Sequence, residues 1–416
     1  MSVKFCLSAL LLIFSFLFLS GAHAASDVTF KNFSREIILS DQQQDYLIND
    51  FGVHVTLANK LIVKADSAMD PHFLMKLDSR ITKAKKIYTG HGFNYLSVEL
   101  KTANSVSSVL KELQKNSAVY LVQPDILQLK QNASASSVNN DAVRQPYLEQ
   151  LGITKLWNRT KGDGVRVAII DDGIDLTHPA LAKVHSEFLY DTQSHQLSAQ
   201  PHAAIDSHGT QVAGVIFATQ VDNTFQGIAP DAQLIAIRQP DSWTSNTLLA
   251  FQLAALAKAD VINCSWTTPF LLEPIADVVN DLTTYGRNGK GIAVVFSAGN
   301  EGVPIAQLNT EATINSAITV GALDAQGVML ASSNYGIGVD VSVYGAGVKS
   351  TANQSLYHSF SGTSLSAAIV SGLAALLISE QPEIHLNLLE QKIQQHTQLA
   401  STADAVDSHL ITASIK

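Results

Sequence analysis

Cysteine is almost missing from this sequence: two residues in 416, Cys6 and Cys264. A disulfide-stapled scaffold is thereby excluded. Charged residues make up only 15% of the chain while hydrophobic ones make up 46%, which excludes an intrinsically disordered protein. A basic surplus is also absent: 27 Lys and Arg stand against 36 Asp and Glu, a net charge of -9. Nucleic acid is therefore not an expected partner. No glycine period or low-complexity tract occurs, so fibrous architectures fall away. What remains is a globular chain, long enough for two or three units at roughly 100–200 residues each.

Lys4 precedes an apolar run from Phe5 to Leu19, followed by Ser20-Gly21-Ala22-His23-Ala24 with small-x-small spacing. The run is shorter than the roughly 20 residues a membrane span needs, so residues 1–24 read as a cleaved signal peptide. Cys264 would then be alone in the exported chain, which must rely on its own core or on bound ions. Leu365–Ser379 is apolar, short and rich in Ala and Gly. It reads as a buried helix, and no membrane span is expected after signal removal.

Residues 26–140 carry 13 basic and 11 acidic side chains, residues 141–416 carry 13 and 25. Modest electrostatic complementarity between two docked units follows. Residues 131–146 are small and polar and read as an exposed linker. Before it, strands are expected at Lys60–Lys64, Tyr95–Leu100 and Ala118–Val122, with a helix at Val106–Leu113. After it, buried strand runs recur at Val165–Ile170, Leu234–Ile237, Val261–Cys264, Ile292–Phe296, Ile318–Val320 and Val339–Val343. Helices are expected at Leu248–Lys258 and Ile275–Tyr285, and an amphipathic surface helix at Leu386–Gln394. The alternation implies an α/β fold with a mostly parallel, doubly wound sheet, preceded by a small α/β domain. In such sheets the chemistry lies beyond the carboxyl ends of the strands.

Four motifs carry chemistry, two at strand ends and two at helix starts. Asp171-Asp172-Gly173 closes the first of the later strands. His208-Gly209-Thr210 opens a helix rich in small residues. Ser297-Ala298-Gly299-Asn300 follows the strand at Ile292–Phe296. Gly362-Thr363-Ser364 opens a long apolar helix. Each alone reads as a turn, a solvated histidine or a cap. Together they run Asp, His, Asn, Ser, and the Asp, His, Ser order is that of subtilisin. Over about residues 147–400 the chain resembles the subtilisin-like serine endopeptidases. Further matches lie at Gly227-Ile228-Ala229-Pro230, Val261-Ile262-Asn263-Cys264-Ser265 and Ser333-Asn334-Tyr335-Gly336.

The resemblance implies Asp171 as the triad aspartate, His208 as general base, Ser364 as nucleophile and Asn300 as the oxyanion-hole side chain. Ser265, Trp266 and Gly299 would line the substrate. The chemistry would be peptide-bond hydrolysis through an acyl-enzyme, with no cofactor. A structural calcium is a family feature, with Asp222-Asn223 as candidate oxygen donors; no spacing suggests zinc. Residues 25–130 resemble the family's inhibitory propeptide, residues 131–146 would contain the processing site, and 147–416 would form the peptidase domain. The partners implied are a polypeptide substrate and the chain's own propeptide. A monomer in the periplasm or outside the cell is expected.

Several residues depart from the family pattern. Asp172 stands where Ser or Thr is usual, and Asp-Asp-Gly with Cys264-Ser265-Trp266 is similar to the kexin-like branch. Thr267-Thr268-Pro269-Phe270 lacks that branch's acidic cluster, so dibasic specificity is not expected. With the sequence ending at Lys416, that branch's downstream β-rich domain is not expected either. Thr267 and Thr268 replace glycines beside the substrate strand and would narrow a pocket. Ala368 replaces a proline after the nucleophile. These changes leave two alternatives open: a maturation peptidase dedicated to one partner, and a non-catalytic binding protein on the same fold.

Overall fold

The computed structural model describes residues 27–43, 45–132, 145–219 and 225–403. The signal segment, most of the linker and Asp222-Asn223 lie outside the described residues.

The N-terminal unit is built on antiparallel strands: β1 (Val28–Asn32), β2 (Arg35–Asp41), β3 (Tyr46–Ile48), β4 (Val53–Asp66), β5 (Ile81–Thr89), β6 (Phe93–Leu100) and β7 (Val119–Leu127). Their order is β1-β2-β3-β4-β6-β5, with β7 on the other side of β4. Helices α1 (Pro71–Leu77) and α2 (Val106–Leu113) complete it. Asp70 caps α1, its carboxylate accepting the His72 N–H at 3.0 Å. The expected helix at Val106–Leu113 falls on α2, which buries Val106, Val109, Leu110 and Leu113 at helical spacing. The expected strands Lys60–Lys64 and Tyr95–Leu100 lie inside β4 and β6, while the one at Ala118–Val122 begins a residue early, since β7 starts at Val119.

The linker expectation is corrected at its start. Gln131–Asn132 form a short strand, β8, antiparallel to β13 (Trp266–Thr267). Two short helices, α3 (Tyr147–Gln150) and α4 (Ile153–Leu156), lead into the second sheet. Its strands are β9 (Arg166–Asp171), β10 (Ser186–Asp191), β11 (Gln233–Arg238), β12 (Val261–Cys264), β14 (Ala293–Ser297), β15 (Ile318–Leu323) and β16 (Val341–Tyr344). They run in the order β10-β11-β9-β12-β14-β15-β16, all parallel. All four residues of β12 and all five of β14 are buried, as expected of strands covered on both faces.

Helices α6 (Thr244–Leu256) and α7 (Glu273–Gly289) cover one face; α5 (His208–Phe217) and α8 (Thr363–Glu380) cover the other. A hairpin of β17 (Val348–Ala352) and β18 (Leu356–Phe360) precedes α8, and α9 (Leu386–Ala403) follows it. α7 leaves helical geometry at Gly286, so its regular part ends at Tyr285 as the sequence suggested. α8 has the length and hydropathy of a membrane span, but it is buried within the fold.

The N-terminal sheet docks on α6 and α7, and their apolar side chains join one core with those of β1–β7. Asp125 enters the start of α6, accepting the Ser245 N–H at 2.9 Å and its hydroxyl at 2.7 Å. Gln128 pairs with the backbone of Phe270 in both directions, at 2.7 and 2.9 Å. Asp277 of α7 receives Lys64 at 2.7 Å and the Tyr95 hydroxyl at 2.5 Å, and Asp281 receives the Tyr88 hydroxyl at 2.7 Å. Of these contacts only Lys64–Asp277 joins opposite charges, so the charge bias read from the sequence accounts for little of the docking.

Candidate active site

The carboxyl ends of β11, β9, β12 and β14 lie side by side and bring distant segments together. β9 ends at Asp171, β12 leads into Ser265 and Trp266, and β14 leads into Gly299 and Asn300. α5 begins at His208 on the face above β9. Its close approach requires Gly209: a Cβ there would strike the Gly173 carbonyl and lie 2.9 Å from the Asp171 Cβ.

Asp171 and His208 are joined. Nδ1 of His208 lies 2.9 Å from each carboxylate oxygen of Asp171, and both side chains are buried. The Phe360 ring meets the imidazole edge-on at 5.6 Å. Nε2 of His208 is buried and has no hydrogen-bond partner among the described residues. This leaves the basic nitrogen free for a proton.

Ser364 is the second residue of α8, not its cap. The cap is Gly362, with φ of 84°, a region that favours glycine. Ser364 is fully buried and its hydroxyl donates to the Ser265 carbonyl at 2.9 Å rather than to His208. The Ser265 hydroxyl donates to the Ser364 carbonyl at 3.2 Å, and Asn263 and Ser371 extend the chain of bonds beneath. Because Ser364 lies in the first turn, its backbone N–H has no intrahelical acceptor.

Asn300 exchanges two bonds with Thr363. Its amide donates to the Thr363 hydroxyl at 3.0 Å and its carbonyl oxygen accepts the Thr363 N–H at 3.0 Å. The amide has two donors, so one remains for an anion. Gly299 also donates its N–H to the Thr363 hydroxyl, at 3.2 Å. Thr363 therefore fixes both Gly299 and Asn300 beside Ser364, a role the sequence reading missed.

Asp172 was read only as a departure from pattern; its position gives it work. One oxygen accepts the His208 N–H at 3.1 Å and the other the Gly209 N–H at 2.8 Å. Ser207, the formal cap of α5, makes no such side-chain bond. The partial positive charge of the helix start is thus met across the cleft. Burial, then repulsion by Asp171, pushes the Asp172 carboxyl up to about 7. Burial also opposes charge on Asp171, but the His208 ring and the Asp172 N–H outweigh it and hold that carboxyl below its usual range. Burial works against the imidazolium of His208, and Asp171 more than compensates, so its pKa is raised.

Thr267, in β13, and Thr268 after it are both buried. Behind them lies Glu311, also buried. It accepts the Thr268 N–H at 2.7 Å and its hydroxyl at 2.6 Å, and burial raises its pKa. Ala368 sits in the unbroken interior of α8. His178 is buried and structural, its ring bonded to the Leu356 carbonyl and the Ala180 N–H. No group of three His, Cys, Asp or Glu able to hold a metal occurs among the described residues.

The subtilase family model matches residues 162–411. The chain belongs to the subtilase family. Among its relatives, the thermophilic serine proteinase of Bacillus sp. (strain AK1) is 34% identical over 298 residues, covering 69% of each chain. Subtilisin NAT of Bacillus subtilis subsp. natto is 29% identical over 296 residues, covering 70% of this chain and 72% of the relative. The crystal structure of fervidolysin from Fervidobacterium pennivorans superposes with a TM-score of 0.63 at 20% identity, over 78% of this chain and 55% of that one, and shows the fold. This subtilase is a serine endopeptidase of the subtilisin type, acting on polypeptides, and the family needs no cofactor for its chemistry.

Proposed function

We propose that this subtilase is an exported, self-processing zymogen in which Asp171, His208 and Ser364 form the triad. The observation that carries the reading is the buried Asp171–His208 pair, its Nε2 without a partner among the described residues, on a helix packed against the one that carries Ser364. Turning about χ1 releases the Ser364 hydroxyl from the Ser265 carbonyl. Oγ then attacks the scissile carbonyl carbon while His208 Nε2 takes its proton. Asp171 holds the ring and stabilises the imidazolium. The Asn300 amide and the Ser364 N–H receive the developing oxyanion. His208 returns the proton to the departing amine, leaving an acyl-enzyme. Water then repeats the sequence and frees Ser364.

Residues 25–130 act as propeptide, and processing falls within 131–146. The β8–β13 pairing supports this, because it lays the end of the N-terminal unit along the substrate strand. Localisation in the periplasm or outside the cell follows from the leader-like residues 1–24, and the mature enzyme works as a monomer. The experiment is N-terminal sequencing of wild-type and Ser364→Ala protein, with fluorophosphonate labelling of the wild type. The expected result is a processed, labelled wild type and an unprocessed, unlabelled variant. An unlabelled wild type after removal of the N-terminal unit would overturn the proposal in favour of a binding protein.

A second reading, a peptidase dedicated to one partner, is favoured by Thr267, Thr268 and Glu311 crowding the substrate strand. Digestion of casein at ordinary rates would remove it.

A further inference from the structure

Lys130 precedes β8 directly, and its side chain turns inward. Nζ donates to the Gln239 carbonyl at 2.5 Å and sits 4.6 Å from the centroid of the Trp266 ring. Both hosts are built into the core. Trp266 is fully buried and its indole N–H donates to the Ile170 carbonyl at 2.7 Å. Gln239 is fully buried; its N–H donates to the Asp171 carbonyl at 2.6 Å, and its side-chain oxygen has no partner among the described residues. Burial presses the Lys130 ammonium towards neutrality, and Asp171, Asp172 and Asp241 oppose that pressure. An aromatic face, a carbonyl oxygen and surrounding carboxylates make a site for a cation.

The ladder gives this site its place in the reaction. Asn132 faces Trp266 and Gln131 faces Thr267. One step further along the enzyme strand is Ser265, whose carbonyl holds the Ser364 hydroxyl. A substrate in this register presents to Ser364 the residue three positions after the one in the cation site. In this sequence that residue is Ala133.

We propose that the cleft of this subtilase carries a subsite for a lysine ammonium, formed by Trp266 and Gln239, and cuts three residues beyond it, between Ala133 and Ser134 in its own chain. The inference rests on the reading of residues 25–130 as a substrate-like propeptide. The test uses the mature wild-type enzyme and two fluorogenic amides, acyl-Lys-Gln-Asn-Ala and acyl-Leu-Gln-Asn-Ala. Lysine is expected to raise kcat/KM roughly tenfold or more, the scale of a desolvated cation–π contact. Sequencing is expected to find Ser134 at the mature N-terminus. In Trp266→Leu the ratio of the two kcat/KM values is expected to fall towards unity, whatever the absolute rates. Equal rates for the two peptides, or a preference for leucine, would overturn the subsite, as would a mature N-terminus elsewhere. Fluorophosphonate labelling of the same preparation separates the two readings: a labelled enzyme without lysine preference sinks the subsite alone, and an unlabelled one sinks the zymogen proposal.

Discussion

At the residue scale, the two adjacent aspartates have opposite electrostatic fates. Asp171 is hydrogen-bonded to the His208 ring and stays ionised, whereas Asp172 accepts backbone N–H groups and is pushed towards neutrality by burial and by Asp171. His208 must be neutral to act as base, so activity falls as pH drops through its raised pKa. Both carboxylates contribute to that rise. Asp172→Asn therefore moves the acidic limb of the kcat/KM profile to lower pH, which a rate profile between pH 5 and 9 would reveal. An unmoved limb would remove Asp172 from the electrostatics of the base. Ser364→Ala lowers kcat by a factor on the order of 10⁶, the scale known for the matching serine of subtilisin. Asn300→Ala lowers kcat by about 10²–10³ with little change in KM, again the scale of subtilisin's own asparagine. Both are read from steady-state kinetics on a peptide amide. The candidate triad was legible because its residues stand in short motifs whose order is diagnostic. Lys130, Thr363 and Glu311 were not. Their parts arise from what packs against them, and no local pattern announces a lysine that will lie over a tryptophan.

At the scale of elements, the site depends on how closely α5 approaches β9. Gly209→Ala would force that helix start away from the Gly173 carbonyl and the Asp171 side chain. Overpacking of this kind costs about 1–3 kcal/mol, measurable as a lower urea midpoint, and kcat should fall with it. An alanine variant with unchanged stability and rate would show that the approach has slack. The buried parallel strands were legible because burial on both faces leaves continuous apolar runs, as in Val261–Cys264. β5 was missed for the converse reason. It lies at the edge of its sheet, and Lys83, Lys85 and Lys86 interrupt its apolar signal while protecting that edge. The first two residues of the polar linker were misread because β8 bonds through its backbone, to which composition is blind.

At the scale of the whole molecule, the N-terminal unit and the peptidase body share a core and a set of polar clasps. Asp125 is the most exacting of these, since it is buried and serves the free end of α6. In a chain kept intact by Ser364→Ala, adding Asp125→Ala should cost about 1–2 kcal/mol of stability, measured by urea unfolding. No loss would mean that α6 finds another acceptor. The two-unit layout was visible in the sequence as a shift of charge and composition. The docking was not, because it relies on Tyr88, Tyr95 and Gln128, whose polar tips become informative only once Asp277, Asp281 and Phe270 are opposite them.

Cys264 offers a way to watch this architecture loosen. Its thiol is buried at the end of β12, one residue before the carbonyl that holds the Ser364 hydroxyl, and burial raises its pKa. Alkylating reagents need a thiolate and a path to it, so the folded enzyme should resist them. If the leader is cleaved as proposed and takes Cys6 with it, every thiol adduct on the mature protein would report one event: the parting of the strands around Cys264. The rate of modification would therefore serve as a built-in clock for opening of the catalytic floor.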